Sequence, residues 1–129
     1  MLFLISAFVA AWLGSTVPAS VECLVIPDDV QTRWNHATKV FVADVRAIDN
    51  SGFVVFDVLE GFKGVRPGTL ALWVYSEFHG FRFQVGHRVL VYGNPSPGDP
   101  EVMSTSCSPT RLVTLDDKEL VTLRRLARK

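Results

Sequence analysis

The side chains in this sequence with the widest chemical range are three histidines and two cysteines, and their spacing limits what they can do together. His36, His79 and His87 fall in a predicted helix, a loop and a turn, and no pair shows metal-ligand spacing, so no metal site is expected. Neither Cys23 nor Cys107 has a neighbouring base in sequence to make it a nucleophile. No Gly-x-Ser-x-Gly elbow and no glycine-rich phosphate loop occurs. Asp44, Asp57 and Glu60 alternate with apolar residues, which reads as the solvated face of strands rather than an acid–base pair. Trp73, Tyr75, Phe78, Phe81 and Phe83 could stack bases. Against that, 13 basic residues balance 13 acidic ones, and a neutral chain has no general attraction for phosphate backbones or anionic lipids. Most of these aromatics are therefore assigned to the core. These residues point to binding rather than catalysis, with no cofactor.

The start of the chain places this chemistry in a compartment. Residues 1–13 are uncharged and almost wholly apolar, and the first ionisable side chain is Glu22. Gly14, Ser15 and Pro18 then interrupt the run, and Val17 and Ala19 fit the small-residue pattern before a cleavage site. The sequence thus predicts a signal peptide over 1–19 and one domain over 20–129. Glu22 stands before Cys23, where a lipid-modification site needs a small residue, so no membrane anchor is expected. Export to the periplasm or beyond implies an oxidising environment, in which two cysteines pair. A Cys23–Cys107 disulfide is the expectation.

The elements that must position these residues are mostly strands. Pro27-Asp28-Asp29 opens a short helix with Val30, Trp34 and Ala37 on one face. From Lys39 the apolar period becomes two: Phe41, Ala43, Val45 and Ala47 share one side. Asn50-Ser51-Gly52 is a hairpin turn signal. A second strand follows with Val54, Phe56 and Val58 on one face. Thr69 to Tyr75 is a third, with Leu70, Leu72 and Val74 opposite Ala71, Trp73 and Tyr75. Arg88 to Gly93 is a fourth. Residues 94–100, with three prolines and a glycine, read as a loop without ladder capacity, and Val102 to Ser106 as a short fifth strand. Asp116 and Glu119 have capping-box spacing and open an amphipathic helix with Leu120, Leu123 and Ala127 on its face and Arg124, Arg125, Arg128 and Lys129 in its last turn. Five strands with apolar residues on both faces predict a mainly β fold. The expected form is a five-stranded OB-fold-like barrel with a short N-terminal helix and a C-terminal amphipathic helix.

The order of these pieces resembles the small bacterial proteins related to the N-terminal domain of the tissue inhibitors of metalloproteinases, the netrin-like OB-fold class. The residues that carry the resemblance span the whole mature chain. They are Cys23 before a helix, then Ala37-Thr38-Lys39-Val40-Phe41-Val42-Ala43-Asp44-Val45, then Phe56-Asp57-Val58-Leu59-Glu60-Gly61-Phe62-Lys63-Gly64. Phe83-Gln84-Val85-Gly86-His87-Arg88-Val89-Leu90-Val91-Tyr92 follows, with Thr105-Ser106-Cys107-Ser108-Pro109-Thr110-Arg111 before the last helix. The resemblance implies an exported inhibitor whose N-terminal cysteine chelates a protease's zinc through its amine and carbonyl. Here Val21 holds that cysteine's place, and Phe78 or His79 that of its bridge partner. The surviving bridge is Cys23 to Cys107.

The expectation is therefore an exported binding protein of this class, not an enzyme, with a protein partner such as an extracellular or periplasmic metalloprotease. Its contact residues would be Ser20, Val21, Glu22, Phe78 and His79, together with the rim loops 76–80 and 94–100. The alternative is an envelope or extracellular protein-interaction module without inhibitory activity. Nucleic acid is not an expected partner.

Overall fold

The computed structural model describes residues 28–75 and 80–129. The predicted signal peptide and its cleavage site lie outside them. Helix α1 (Val30–His36) is followed by strands β1 (Lys39–Ile48), β2 (Phe53–Lys63), β3 (Gly68–Tyr75), β4 (Arg88–Ser96), β5 (Asp99–Ser104) and β6 (Arg111–Leu112), and then by helix α2 (Lys118–Ala127). The sheet order is β1-β2-β3-β5-β4-β6, and β1 also pairs with β4. The last pairing closes a five-stranded barrel, β1-β2-β3-β5-β4-β1, with β6 added outside the ring. All contacts are antiparallel except β3 with β5. The protein is thus mainly β, an OB-fold-like barrel with one short helix at each end of the described chain.

Closure depends on β1, whose two edges hold β2 and β4. Register shifts after Val40, Val42 and Val45 bend it around the ring, as bulges do. It also lies between two cores. Phe41, Ala43 and Val45 point into the barrel with Val54, Phe56, Val58, Val89, Val91 and Met103. Val40 and Val42 face the other way and, with Leu90 and Tyr92, are covered by Leu120, Leu123 and Leu126 of α2. Burial on both faces explains why β1 and β4 carry unbroken apolar runs where a one-sided strand would alternate. Leu72 packs against the inner core while half-buried. Trp34 packs against the outer one and takes the Lys63 ammonium over its ring at 5.3 Å.

Three local expectations are corrected. Residues 94–100 are not a loop: β4 runs to Ser96 and β5 starts at Asp99, with Pro97 and Gly98 as the turn. The prolines are accommodated where the register slips between Pro95 and Ser96, and Gly98 supplies a φ of 87°. The cap of α2 is Asp117, whose side chain accepts from the Glu119 N–H, while Asp116 accepts from the Thr114 hydroxyl. The buried face of α2 is Leu120, Leu123 and Leu126, and Ala127 is exposed. Among the described residues no helix is long and apolar enough to cross a membrane.

The bend after β2 depends on Gly64, which has a φ of 70° and stands so close to Thr38 that a methyl group would overlap the Thr38 carbonyl. Gly64→Ala is expected to cost about 1–3 kcal/mol, the usual range for a strained backbone position, measured by urea denaturation. An unchanged midpoint would show that the bend tolerates a side chain.

Candidate functional site

The carboxylates come first, because a hydrolytic or acid–base site would need one of them raised and free. Asp44 and Asp57 are register partners across β1 and β2, yet each is held by its own arginine. Arg88 donates to both oxygens of Asp44 at 2.7 and 3.0 Å. Arg46 donates to Asp57 Oδ1 at 2.6 and 3.1 Å. Arg124 donates to both oxygens of Glu60 at 2.8 and 2.7 Å. The Arg88 hydrogen bonds hold Asp44 below the usual carboxylate range, and those of Arg124 do the same for Glu60. So held, the Asp44 and Glu60 carboxyls stay ionised near neutrality and cannot serve there as proton donors. The reading of these three as a strand face stands, with arginine partners added.

One cluster joins residues that lie far apart in the chain. Glu119 is almost fully buried between α2, α1 and the barrel, with 8% of its side chain exposed. Arg33 Nη1 donates to both of its oxygens at 3.1 Å. Arg111 Nη2 donates to Oε1 at 2.9 Å and also reaches Asp117 at 2.8 Å. The Tyr92 hydroxyl donates to Oε2. Burial alone would raise the Glu119 pKa, but the Tyr92, Arg111 and Arg33 hydrogen bonds together outweigh it and hold the carboxyl below its ordinary value. Burial and then the Glu119 contact push the Tyr92 hydroxyl up. The cluster ties α1, β4, β6 and α2 together, so its chemistry is that of a fastener. Its only local sequence signal, the Asp116/Glu119 spacing, is that of a helix cap.

The rim near Cys107 lies beside this cluster. Cys107 has a φ of 55°, the only non-glycine residue above zero among those described, and it is not a free thiol. It borders a cavity of about 110 Å³ with Arg33, His36, Tyr92, Asn94 and Ser108. The predicted contact residues Ser20, Val21, Glu22, Phe78 and His79, and Cys23 of the predicted bridge, lie outside the described residues. His36 is exposed, and His87 is half-buried with Nδ1 unpartnered among the described residues. No group of three or more metal-ligating side chains occurs among them.

The aromatics divide. Phe81 and Phe83 pack on the inner core, with Phe83 edge-on to Phe56 at 5.3 Å. Trp73 and Tyr75 instead stand on the outer face of β3, exposed, which corrects their assignment to the core. No protein-family model matches the chain, and no curated protein matches it.

Proposed function

We propose that this chain is an exported protein-binding module of the class resembling the tissue inhibitors of metalloproteinases, acting by contact and not by catalysis. The observation that carries the reading is the position of Cys107. A strained residue that is not a free thiol sits in the turn that follows Ser104, the last residue of β5, at the rim to which the resemblance ties the N-terminal segment. A Cys23–Cys107 bridge would hold Ser20, Val21 and Glu22 against that rim, near His36 and Asn94. The arginine-paired carboxylates support binding over catalysis.

Zinc-directed inhibition by the family's route needs an N-terminal cysteine amine fixed by a bridge. In this chain Val21 takes that place and Ser20 precedes it, so an unanchored amine must be ordered on binding, at a free-energy cost. Mature protein is expected to inhibit a panel of zinc proteases weakly or not at all, and one added N-terminal alanine should change nothing. Non-reducing peptide mapping should recover Cys23 linked to Cys107. Tight inhibition abolished by the added alanine would establish a working zinc-chelating wedge and overturn the loss of inhibition. Two alkylatable thiols in natively exported protein would remove the anchor on which the reading rests.

A further inference from the structure

We propose that the face formed by the end of β2, the turn before α2 and the outer side of α2 binds an anionic lipid bilayer. Leu59 is 37%, Leu115 42% and Val121 60% exposed, so large aliphatic side chains are left in water on each of these segments. They surround one ion pair. Arg124, which holds Glu60, donates to the Leu115 carbonyl at 3.5 Å and lines a shallow groove of about 330 Å³ with Leu59, Pro67, Ala127 and Arg128. Val121 precedes Arg124 by three residues and Arg125 by four, so it shares their side of the helix. An exposed apolar surface rimmed by polar groups marks a contact. The groove shares no lining residue with the cavity beside Cys107, so this face stands apart from the protein-contact rim.

The cations that the fold leaves unpaired gather at this face. Arg33, Arg46, Arg88, Arg111 and Arg124 all hold carboxylates. Among the described residues Arg66, Arg125 and Arg128 hold none, and all three border the face. Arg128 lines the groove, Arg125 is exposed one turn after Val121, and the Arg66 backbone packs so close to Gly61 that a methyl group there would meet its Cα at 3.3 Å. The remaining arginine, Arg82, lies elsewhere, beside Ile48 and Val74. Glu60 is taken up by Arg124, and Asp116, the residue after Leu115, is the acidic exception. The chain is neutral as a whole, so folding has concentrated positive charge that composition does not show. Complementing the end of a helix explains cations in the last turn of α2. It explains neither Arg66 nor the exposure of Leu59, Leu115 and Val121.

The arrangement selects the partner. Protein interfaces rest on aromatic and arginine anchors seated in desolvated pockets, and leucine and valine are under-represented among those anchors. Here the apolar groups are aliphatic, come from separate segments and ring an ion pair without converging. A bilayer needs no matching shape. Its headgroup boundary takes aliphatic side chains to a depth of about 5–10 Å, while arginines around them reach the phosphates. Nucleic-acid strands also attract cations, but they stack bases on aromatic rings, and the one ring in this groove, Phe62, is buried. A neutral bilayer has no charge for Arg66, Arg125 and Arg128 to meet. With an anionic one, each cation near the surface strengthens binding about fivefold.

The test is co-sedimentation of mature protein with vesicles of phosphatidylglycerol and phosphatidylcholine, and with vesicles of phosphatidylcholine alone. Fluorescence anisotropy of labelled polyglutamate and oligothymidine gives parallel arms. The protein should be half-bound to the anionic vesicles at or below about 1 mM lipid. It should stay in solution with the neutral ones and be released by about 0.5 M salt. Arg128→Ala should weaken binding about fivefold, the share of one cation. Val121→Glu, at an exposed helix position, should weaken it at least about tenfold with the urea midpoint unchanged. Arg82→Ala, which removes an unpaired arginine outside the face, should alter it less than about twofold. The proposal is overturned if anionic vesicles up to about 10 mM lipid leave the protein in solution, or if neutral vesicles bind it equally. It is also overturned if Arg128→Ala and Val121→Glu bind like wild type, or if Val121→Glu instead splits a lipid-free dimer. Binding of polyglutamate or oligothymidine alone would assign the face to an acidic protein or to nucleic acid and overturn it too. None of these results bears on zinc-protease inhibition, so the two readings fail separately.

Discussion

Phe56→Ala is expected to destabilise the barrel by about 3–5 kcal/mol, the usual cost of truncating a fully buried phenylalanine. The ring has no solvent exposure and sits at the centre of the inner core, edge-on to Phe41 at 5.4 Å and to Phe83 at 5.3 Å. The strands around it form a closed ring, so the wall cannot slide inward to fill the space, and the cavity remains. Small domains hold only about 5–15 kcal/mol in total, so the variant should lose a large share of its folded population at physiological temperature. Equilibrium urea denaturation measures the loss. Phe56→Leu, which restores part of the volume, should recover part of it. A change under about 1 kcal/mol for the alanine variant would mean that the ring does not lie in the core.

Glu119→Ala is expected to cost about 3 kcal/mol, the lower end for removing one partner of a buried ion pair. Arg33 and the Tyr92 hydroxyl would lose their shared acceptor in a nearly dry site, whereas Arg111, 38% exposed, can turn to water and to Asp117. The same contact makes stability depend on pH. The Glu119 pKa is lower in the folded protein than the ordinary glutamate value near 4.3. Its contribution is therefore fully present above that ordinary value and is lost as pH falls through the folded one. Wild-type protein should weaken below about pH 4.3. Asp44, Glu60 and Asp117, also held low by arginines, add to the same slope. Glu119→Gln cannot lose a charge, so it should be less stable at neutral pH and show a flatter acid limb. Identical acid limbs for the two proteins would show that Glu119 is not held ionised by the cluster.

Both variants touch contacts that differ in how far local sequence could announce them. The five strands were legible because alternation is a local property: Val54, Phe56 and Val58 declare a face whatever lies opposite. The turns were legible where a residue type is required, as at Gly52. The barrel itself also followed, since apolar residues on both faces of β1 and β4 leave an open sheet with a wet apolar side. Which face meets which core was not local. Val40 and Val42 are buried only because α2, some eighty residues later, lies over them.

The candidate sites show the same division. Spacing offered Glu119 as a capping partner, but its carboxylate goes to Arg33, 86 residues away, because a buried acceptor takes the strongest donors within reach, whatever their place in the chain. Period two put Ala71, Trp73 and Tyr75 together, and the sequence alone could not say whether that face was inside. Closure of the ring turned Leu70, Leu72 and Val74 toward the core and left Trp73 and Tyr75 in water. Residue types and local periods determined most of the elements, though not β6 or the hairpin joining β4 and β5, and the neutral, arginine-balanced charge of this protein. Tertiary structure alone decided which aromatics face solvent and which carboxylates are held, because burial and ion pairing depend on what the folded chain brings from far away.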